Sequence, residues 1–159
     1  MTFRVIQWST GNVGRHALRL MARHPDLELV GLWVHSPDKA GRDAGELVGI
    51  EPLGIAATND ADALLALDAD CVCYTATADL RPQEAIADMT RILQSGKNVV
   101  SSSVVPLVWP QHVDPEMRAP ASGFDCANSS RIAINPGISV SAIAISLRPQ
   151  SASARSATL

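Results

Sequence analysis

The chain has 159 residues, of which 47% are hydrophobic and 18% charged, with a net charge of −3. That length supports one globular domain with a sizeable core, and the slightly acidic balance argues against nucleic acid as a partner. No apolar run approaches the ~20 residues of a membrane span, and the N-terminus lacks a basic stretch followed by an apolar one, so a cytoplasmic protein with no membrane partner is expected.

Phe3 to Trp8 is an apolar run that reads as a first strand. Ser9-Thr10-Gly11-Asn12-Val13-Gly14 follows, and a helical pattern starts at Asn12. A strand, a tight turn and a helix N-terminus in that order aim free N–H groups and the positive end of the helix dipole at an anion. Within the pattern G-x-G-x-x-G, Gly11 lets the backbone approach a pyrophosphate and permits a positive φ. Gly14 lets the helix sit close to the strand, while Ser9 replaces the usual first glycine. The helix is expected to run from Asn12 to Arg23, with Val13, Ala17, Leu20 and Met21 as its apolar face. His24-Pro25-Asp26 stops it.

Leu27 to Val34 reads as a second strand, covered on both faces. Ser36 to Glu46, with Pro37, Gly41 and Gly45, reads as a loop. Gly54 to Ala57 is a short third strand, and Thr58 or Asn59 caps a helix reaching Leu67. Asp70 to Thr75 is a fourth strand. Cys71 and Cys73 alternate with Val72 there, which predicts two buried thiols. With Cys126 the cysteine count is odd and without metal-ligand spacing, so a reducing compartment is expected. Pro82 opens a helix to Ser95 with Ile86, Met89 and Leu93 on one face. Gly96 ends it, and Asn98 to Ser102 is a fifth strand.

This alternation predicts an α/β fold with a Rossmann-type, doubly wound parallel sheet. After Val105 the pattern weakens, punctuated by Pro106, Pro110, Pro115 and Pro120. Arg131 to Ile134 reads as one more strand and Ser139 to Leu147 as a helix. Residues 1–136 are expected to form a dinucleotide-binding domain, and residues 137–159 a stub of a substrate domain or a frayed tail.

In an open α/β sheet, ligands bind beyond the C-terminal ends of the strands. The candidate site is therefore Ser9 to Gly14, His35-Ser36, Thr75-Ala76-Thr77, Ser101-Ser102-Ser103 and Asn135-Pro136-Gly137. Gly11, Asn12, Val13 and Gly14, with Ser9 and Thr10, would hold the pyrophosphate. The end of the second strand selects the cofactor, since an acidic residue there would bind the ribose hydroxyls of NAD. Here His35 and Ser36 occupy it, and Lys39 and Arg42 follow. That leans toward a 2′-phosphate and so toward NADP over NAD. Thr75, Ala76 and Thr77 would border the nicotinamide ribose. Ser101 and Ser102 complete the cofactor side, with Ser103 and Asn135 toward the substrate. Arg15, next to Gly14, is a further candidate for a phosphate. The four histidines are scattered, so no metal site is expected, and no nucleophile elbow or Walker pattern is present.

Trp8-Ser9-Thr10-Gly11-Asn12-Val13-Gly14-Arg15, followed by Gly41-Arg42-Asp43-Ala44-Gly45-Glu46-Leu47, resembles the N-terminal domain of dihydrodipicolinate reductase. The chain is most similar to the actinobacterial NAD(P)H-dependent amine dehydrogenases that resemble 2,4-diaminopentanoate dehydrogenase. They share the loop Val34 to Lys39 and a later Asn135-Pro136-Gly137. The resemblance implies hydride transfer between NAD(P)H and a C=N or C=O carbon of a small amino-acid-like substrate. It also implies a second, substrate-binding domain. That domain and its histidine-rich motif are missing from these 159 residues. A truncated product, a frame disruption and a naturally short protein all fit that length. The resemblance names no catalytic residue here, and a non-catalytic nucleotide-binding or interaction module is the alternative reading. Loss of the domain would leave Val104, Leu107, Val108 and Trp109 uncovered, which predicts a homo-oligomer.

Overall fold

Short runs of β-branched and aromatic residues place five strands side by side, all parallel. The computed structural model describes residues 2–101, residue 103 and the backbone of residues 143–145. In chain order the elements are β1 (Phe3–Trp8), α1 (Asn12–Met21), β2 (Leu27–Trp33), a 3₁₀ turn (Pro37–Lys39), α2 (Ala44–Val48), β3 (Ala57–Thr58), α3 (Ala61–Leu65), β4 (Cys71–Tyr74), α4 (Pro82–Gln94), β5 (Asn98–Ser101) and β6 (Ile143–Ile145). The sheet order is β3-β2-β1-β4-β5-β6, with β6 antiparallel to β5. This is the strand order of the doubly wound dinucleotide-binding folds, and the order reverses between β1 and β4.

Helices cover both faces of the sheet. On one face α3 and α4 supply Leu64, Ala85, Ile86, Met89, Ile92 and Leu93, which bury Ile6, Trp8, Val72, Tyr74 and Val99. On the other, Leu18 of α1 and Ala44 and Val48 of α2 bury Leu32, Val34 and Ala57. The predicted face of α4 is the observed one, since Ile86, Met89 and Leu93 are all buried.

The face of α1 differs from expectation. Gly14, Leu18 and Met21 turn inward, whereas Val13 and Leu20 are 53% and 72% exposed. The seat of Gly14 against the end of β1 rotates the helix by about one residue. Its end also falls earlier than Arg23, at Met21, with Ala22 as its C-cap.

The stretch expected to be a loop from Ser36 to Glu46 contains the 3₁₀ turn and the start of α2. Asp43 makes the difference. Its Oδ1 accepts from the N–H groups of Gly45 (2.7 Å), Glu46 (3.4 Å) and Leu53 (2.9 Å). Its Oδ2 accepts from Gly54 (2.8 Å) and Ile55 (3.2 Å). One carboxylate thus caps α2 and closes the loop that leads into β3. Gly54 has φ +73, so it turns the chain instead of opening a strand, and β3 begins at Ala57. Asp60, not Thr58 or Asn59, caps α3 through the Ala63 N–H (3.0 Å), and that helix ends at Leu65.

The N–H groups around Asp43, led by that of Leu53, hold its carboxyl below the ordinary carboxylate range. A carboxyl depressed in the folded state stabilises above its unfolded value, and that stabilisation is lost as pH falls through the folded value. Asp43→Asn is therefore expected to melt at lower temperature at neutral pH and to lose part of the acid sensitivity of the parent. Thermal unfolding followed from about pH 2 to pH 7 measures both, and identical pH profiles would remove Asp43 from this role.

Two further expectations need correction. Cys71 and Cys73 are half-buried, not fully buried. Burial still pushes both thiols up, Cys73 to about 11, so neither has thiolate character at neutral pH. Ile143–Ile145 is strand, not part of a helix from Ser139 to Leu147. The edge of β5 offers unpaired backbone groups, and pairing with β6 satisfies them. The expected strand at Arg131 to Ile134, Cys126, and the apolar residues Val104, Leu107, Val108 and Trp109 lie outside the described residues.

Candidate functional site

Parallel strands deliver their C-terminal ends to one edge, so the loops after β1, β2 and β4 meet there, beside the end of β5 at Ser101. The loop after β1 has an unexpected backbone. Ser9, in the place of the first glycine, has φ +86 and is the one non-glycine at positive φ among the described residues. Gly11, where a positive φ was anticipated, has φ −66 and ψ −171, which any residue adopts. The left-handed turn is thus at Ser9, a conformation that costs about 1–3 kcal/mol and persists only where neighbours enforce it.

Ser9 is held on several sides. Its N–H donates to the carbonyl of Trp33 (2.9 Å), and its carbonyl accepts from Nε2 of Gln7 (2.8 Å). Its Oγ accepts from the Gly11 N–H (3.2 Å). Above it, a Cβ on Gly14 would lie 2.2 Å from the Ser9 carbonyl oxygen and 2.7 Å from Thr75 Oγ1. Only glycine fits there, as the sequence predicts. A Cβ on Gly11 meets nothing nearer than Ser9 Oγ, at 3.7 Å. The space over Gly11 is therefore open to a ligand.

The N-terminus of α1 faces the same space. No side chain caps it, its first turn carries no acidic residue, and the first N–H to bond back along the chain is that of Arg15, to the Gly11 carbonyl (3.0 Å). The N–H groups of the first turn thus have no helical partner and carry the positive end of the dipole. Asn12 and Val13, at the start of that turn, are exposed, as is Arg15.

At the end of β2, His35 is exposed and lies 6.0 Å from the Trp33 ring, centroid to centroid. Ser36 precedes the 3₁₀ turn. That turn carries Lys39 back toward the first loop, where its Nζ donates to Oγ1 of Thr10 (3.4 Å). Arg42 is exposed, one turn further on. Of the two cations after the second strand, Lys39 is the one drawn to the glycine loop.

Thr75, at the end of β4, is committed to the fold. Its Oγ1 donates to the Trp8 carbonyl (3.0 Å) and accepts from Gln7 Nε2 (2.7 Å). Ala76 is buried and Thr77 exposed. Ser101 is buried, and its Oγ accepts from the Ser103 N–H (3.0 Å). Ser102 and Asn135 lie outside the described residues. The ends of the first, second, fourth and fifth strands therefore meet at one edge, and the part of Asn135 is undescribed.

Two features escape a reading of the sequence alone. Trp8, Trp33 and Tyr74 are register partners on adjacent strands, and they stack with centroids 4.9 Å and 6.3 Å apart. Trp8 and Tyr74 are buried in the core on the α3 and α4 face, and Trp33 packs against it. Tyr74 donates its hydroxyl to Asp88 (3.0 Å), and burial, then the Asp88 charge, pushes it above its ordinary range, so it stays protonated. Gln7 is the other. A glutamine inside an apolar strand must find partners, and that was the signal available. Among the described residues no cluster of His, Cys, Asp or Glu is arranged for a metal, and no helix is long and apolar enough to cross a membrane.

Residues 5–103 match the family described as dihydrodipicolinate reductase, N-terminus. An amine dehydrogenase of Streptomyces virginiae is 47% identical over 116 residues, covering 72% of this chain and 32% of that protein. The 4-hydroxy-tetrahydrodipicolinate reductase of Nostoc punctiforme is 28% identical over 140 residues, covering 86% and 48%. Among solved structures, the amine dehydrogenase of Mycobacterium smegmatis aligns with a TM-score of 0.64 at 25% identity, covering 75% of this chain and 35% of that one. The chain thus spans less than half the length of these relatives.

Proposed function

We propose that this chain, which belongs to the dihydrodipicolinate reductase N-terminal-domain family, binds the pyrophosphate of NADPH or NADH over Gly11 and against the N-terminus of α1. The observation that carries this is the open, uncapped helix start, with nothing but Ser9 Oγ within 4 Å of a Cβ at Gly11. Backbone N–H groups of the first turn would donate to phosphate oxygens. The Ser9 hydroxyl accepts from the Gly11 N–H and keeps its own proton to give. Hydrogen bonds on the Ser9 N–H and carbonyl fix the loop, so the donors are held in place before the ligand arrives.

Bound there, the nicotinamide would supply hydride transfer to or from a carbon–nitrogen or carbon–oxygen centre of a small amino-acid-like substrate. The relatives named amine dehydrogenase and 4-hydroxy-tetrahydrodipicolinate reductase support that class of chemistry. The protein's own part in it is binding and orientation. Thr77, Ser101 and Ser103 stand at the ends of β4 and β5, on the side where the nicotinamide would lie.

NADPH is the preferred form in this reading. Lys39 reaches the glycine loop and Arg42 follows it, giving two cations for a 2′-phosphate. Calorimetric titration is expected to show NADPH binding at least as well as NADH. Lys39→Ala should weaken NADPH about tenfold, roughly 1.4 kcal/mol, with a smaller effect on NADH. A clear NADH preference would move ribose recognition to the exposed carboxylate of Asp38. No binding of either nucleotide would sink the proposed function itself.

A further inference from the structure

We infer that Gln7 is a positioning residue for the cofactor loop: its buried amide clamps Ser9 in the left-handed conformation and lets a serine stand where glycine is ordinarily required. The inference rests on the cofactor reading above for its purpose, although the clamp itself is a matter of backbone geometry.

Gln7 is fully buried near the C-terminal end of β1, between Ile6 and Trp8. An aliphatic side chain would suit that place better. The amide instead carries a desolvation penalty, and its Oε1 finds no partner among the described residues. Its Nε2 has two protons, and the two short contacts, to Ser9 O (2.8 Å) and Thr75 Oγ1 (2.7 Å), use both. The Thr75 hydroxyl in turn donates to the Trp8 carbonyl (3.0 Å). The chain Gln7–Thr75–Trp8 therefore ties the end of β4 to the end of β1, and Gln7 fixes the Ser9 carbonyl in the same stroke.

That carbonyl is the seat of α1, 2.2 Å from where a Gly14 Cβ would stand. A Ser9 that relaxed to negative φ would swing the carbonyl away. It would also carry off Oγ, which now accepts from the Gly11 N–H. Strained residues persist where surroundings over-determine them, commonly at ligand sites. Here the surroundings are Gln7 on the carbonyl side and the Trp33 carbonyl on the N–H side.

The test compares Gln7→Leu in two backgrounds, the parent and Ser9→Gly, because glycine adopts positive φ without a clamp. Two readouts are taken on the full chain: NADPH affinity by calorimetry, and hydrogen exchange of the amides of residues 9–14 without nucleotide. In the parent, Gln7→Leu should weaken NADPH about tenfold and speed exchange in the loop. In the Ser9→Gly background the same change should weaken it less than about threefold. An equal penalty in both backgrounds would make Gln7 a general support of the sheet and overturn the inference. Unchanged affinity and exchange in the parent background would do the same.

If Gln7→Leu fails to fold alone but folds with Ser9→Gly, the clamp is upheld. If neither folds, Gln7→Met in both backgrounds is measured, and failure there too overturns it. Should the unmutated chain bind neither NADPH nor NADH, the cofactor reading fails. The exchange data still judge the clamp.

Discussion

A Gly14→Ala variant is expected to lose cofactor binding and part of its fold stability together. The new Cβ would stand 2.2 Å from the Ser9 carbonyl oxygen and 2.7 Å from Thr75 Oγ1. Neither can yield freely. The carbonyl is backbone held by Gln7, and the hydroxyl is bonded to Gln7 and to the Trp8 carbonyl. α1 must therefore lift off the strand end. Forcing an extra carbon into a filled place costs about 1–3 kcal/mol, which lowers the melting temperature of a chain of this size by roughly 2–4 °C per kcal/mol. Lifting α1 also removes its N–H groups from the phosphates. Losing two charge-assisted hydrogen bonds weakens NADPH by about 100-fold or more. Thermal melting by circular dichroism and calorimetric titration measure the two effects. A variant with parental stability and affinity would contradict the seating of α1 described above.

Gly11→Val should separate these two effects. Gly11 has φ −66 and ψ −171, an extended conformation open to valine, and its surroundings leave room for a side chain. The positive φ that glycine would permit at Gly11 is at Ser9 instead, so valine at Gly11 meets no backbone strain. Valine is a poorer N-cap than glycine, so a loss of about 1 kcal/mol is expected. Binding should be abolished, since the isopropyl group would fill the space proposed for the pyrophosphate. A folded variant with unchanged affinity would place the cofactor elsewhere. Comparison with Gly14→Ala then shows which glycine serves the fold and which serves the ligand.

The skeleton of the fold is legible because its signals are local. Phe3 to Trp8 is a strand by its apolar run, Pro82 marks the first turn of α4, and Gly96, at φ +84, ends it. The parallel sheet follows from the alternation of these elements. The fit of Gly14 follows from its place in the glycine pattern. Asp43-Ala44-Gly45-Glu46 has the spelling of a helix start, so the signal for α2 lies within a stretch whose Pro and Gly otherwise spell a loop.

What escapes depends on distant partners. Gln7 and Thr75 are 68 residues apart, and nothing local couples the amide to the hydroxyl. The left-handed Ser9 is held by the Gln7 amide on its carbonyl and by the distant Trp33 carbonyl on its N–H, not by its own residue type. The Lys39–Thr10 contact likewise spans 29 residues. The rotation of α1 is set by how Gly14 meets the Ser9 carbonyl, which hydrophobic spacing cannot weigh. In β6, Ile143 and Ile145 alternate with Ala144. A three-residue run is too short for periodicity to separate strand from helix, and the open edge of β5 decides it.

The claim that a dinucleotide sits on the β1–α1 loop is tested most directly by backbone amide NMR during titration with NADPH. The account predicts the largest shifts at residues 9–14, at His35, Ser36, Lys39 and Arg42, and at Thr75 to Thr77. The N–H of Gly11 and those of the first turn of α1 should move most, while amides at the opposite edge of the sheet, around Phe3, Leu27 and Asp70, should stay still. Saturable binding with the shifts confined to some other surface, or no shifts at millimolar nucleotide in the folded chain, would contradict it.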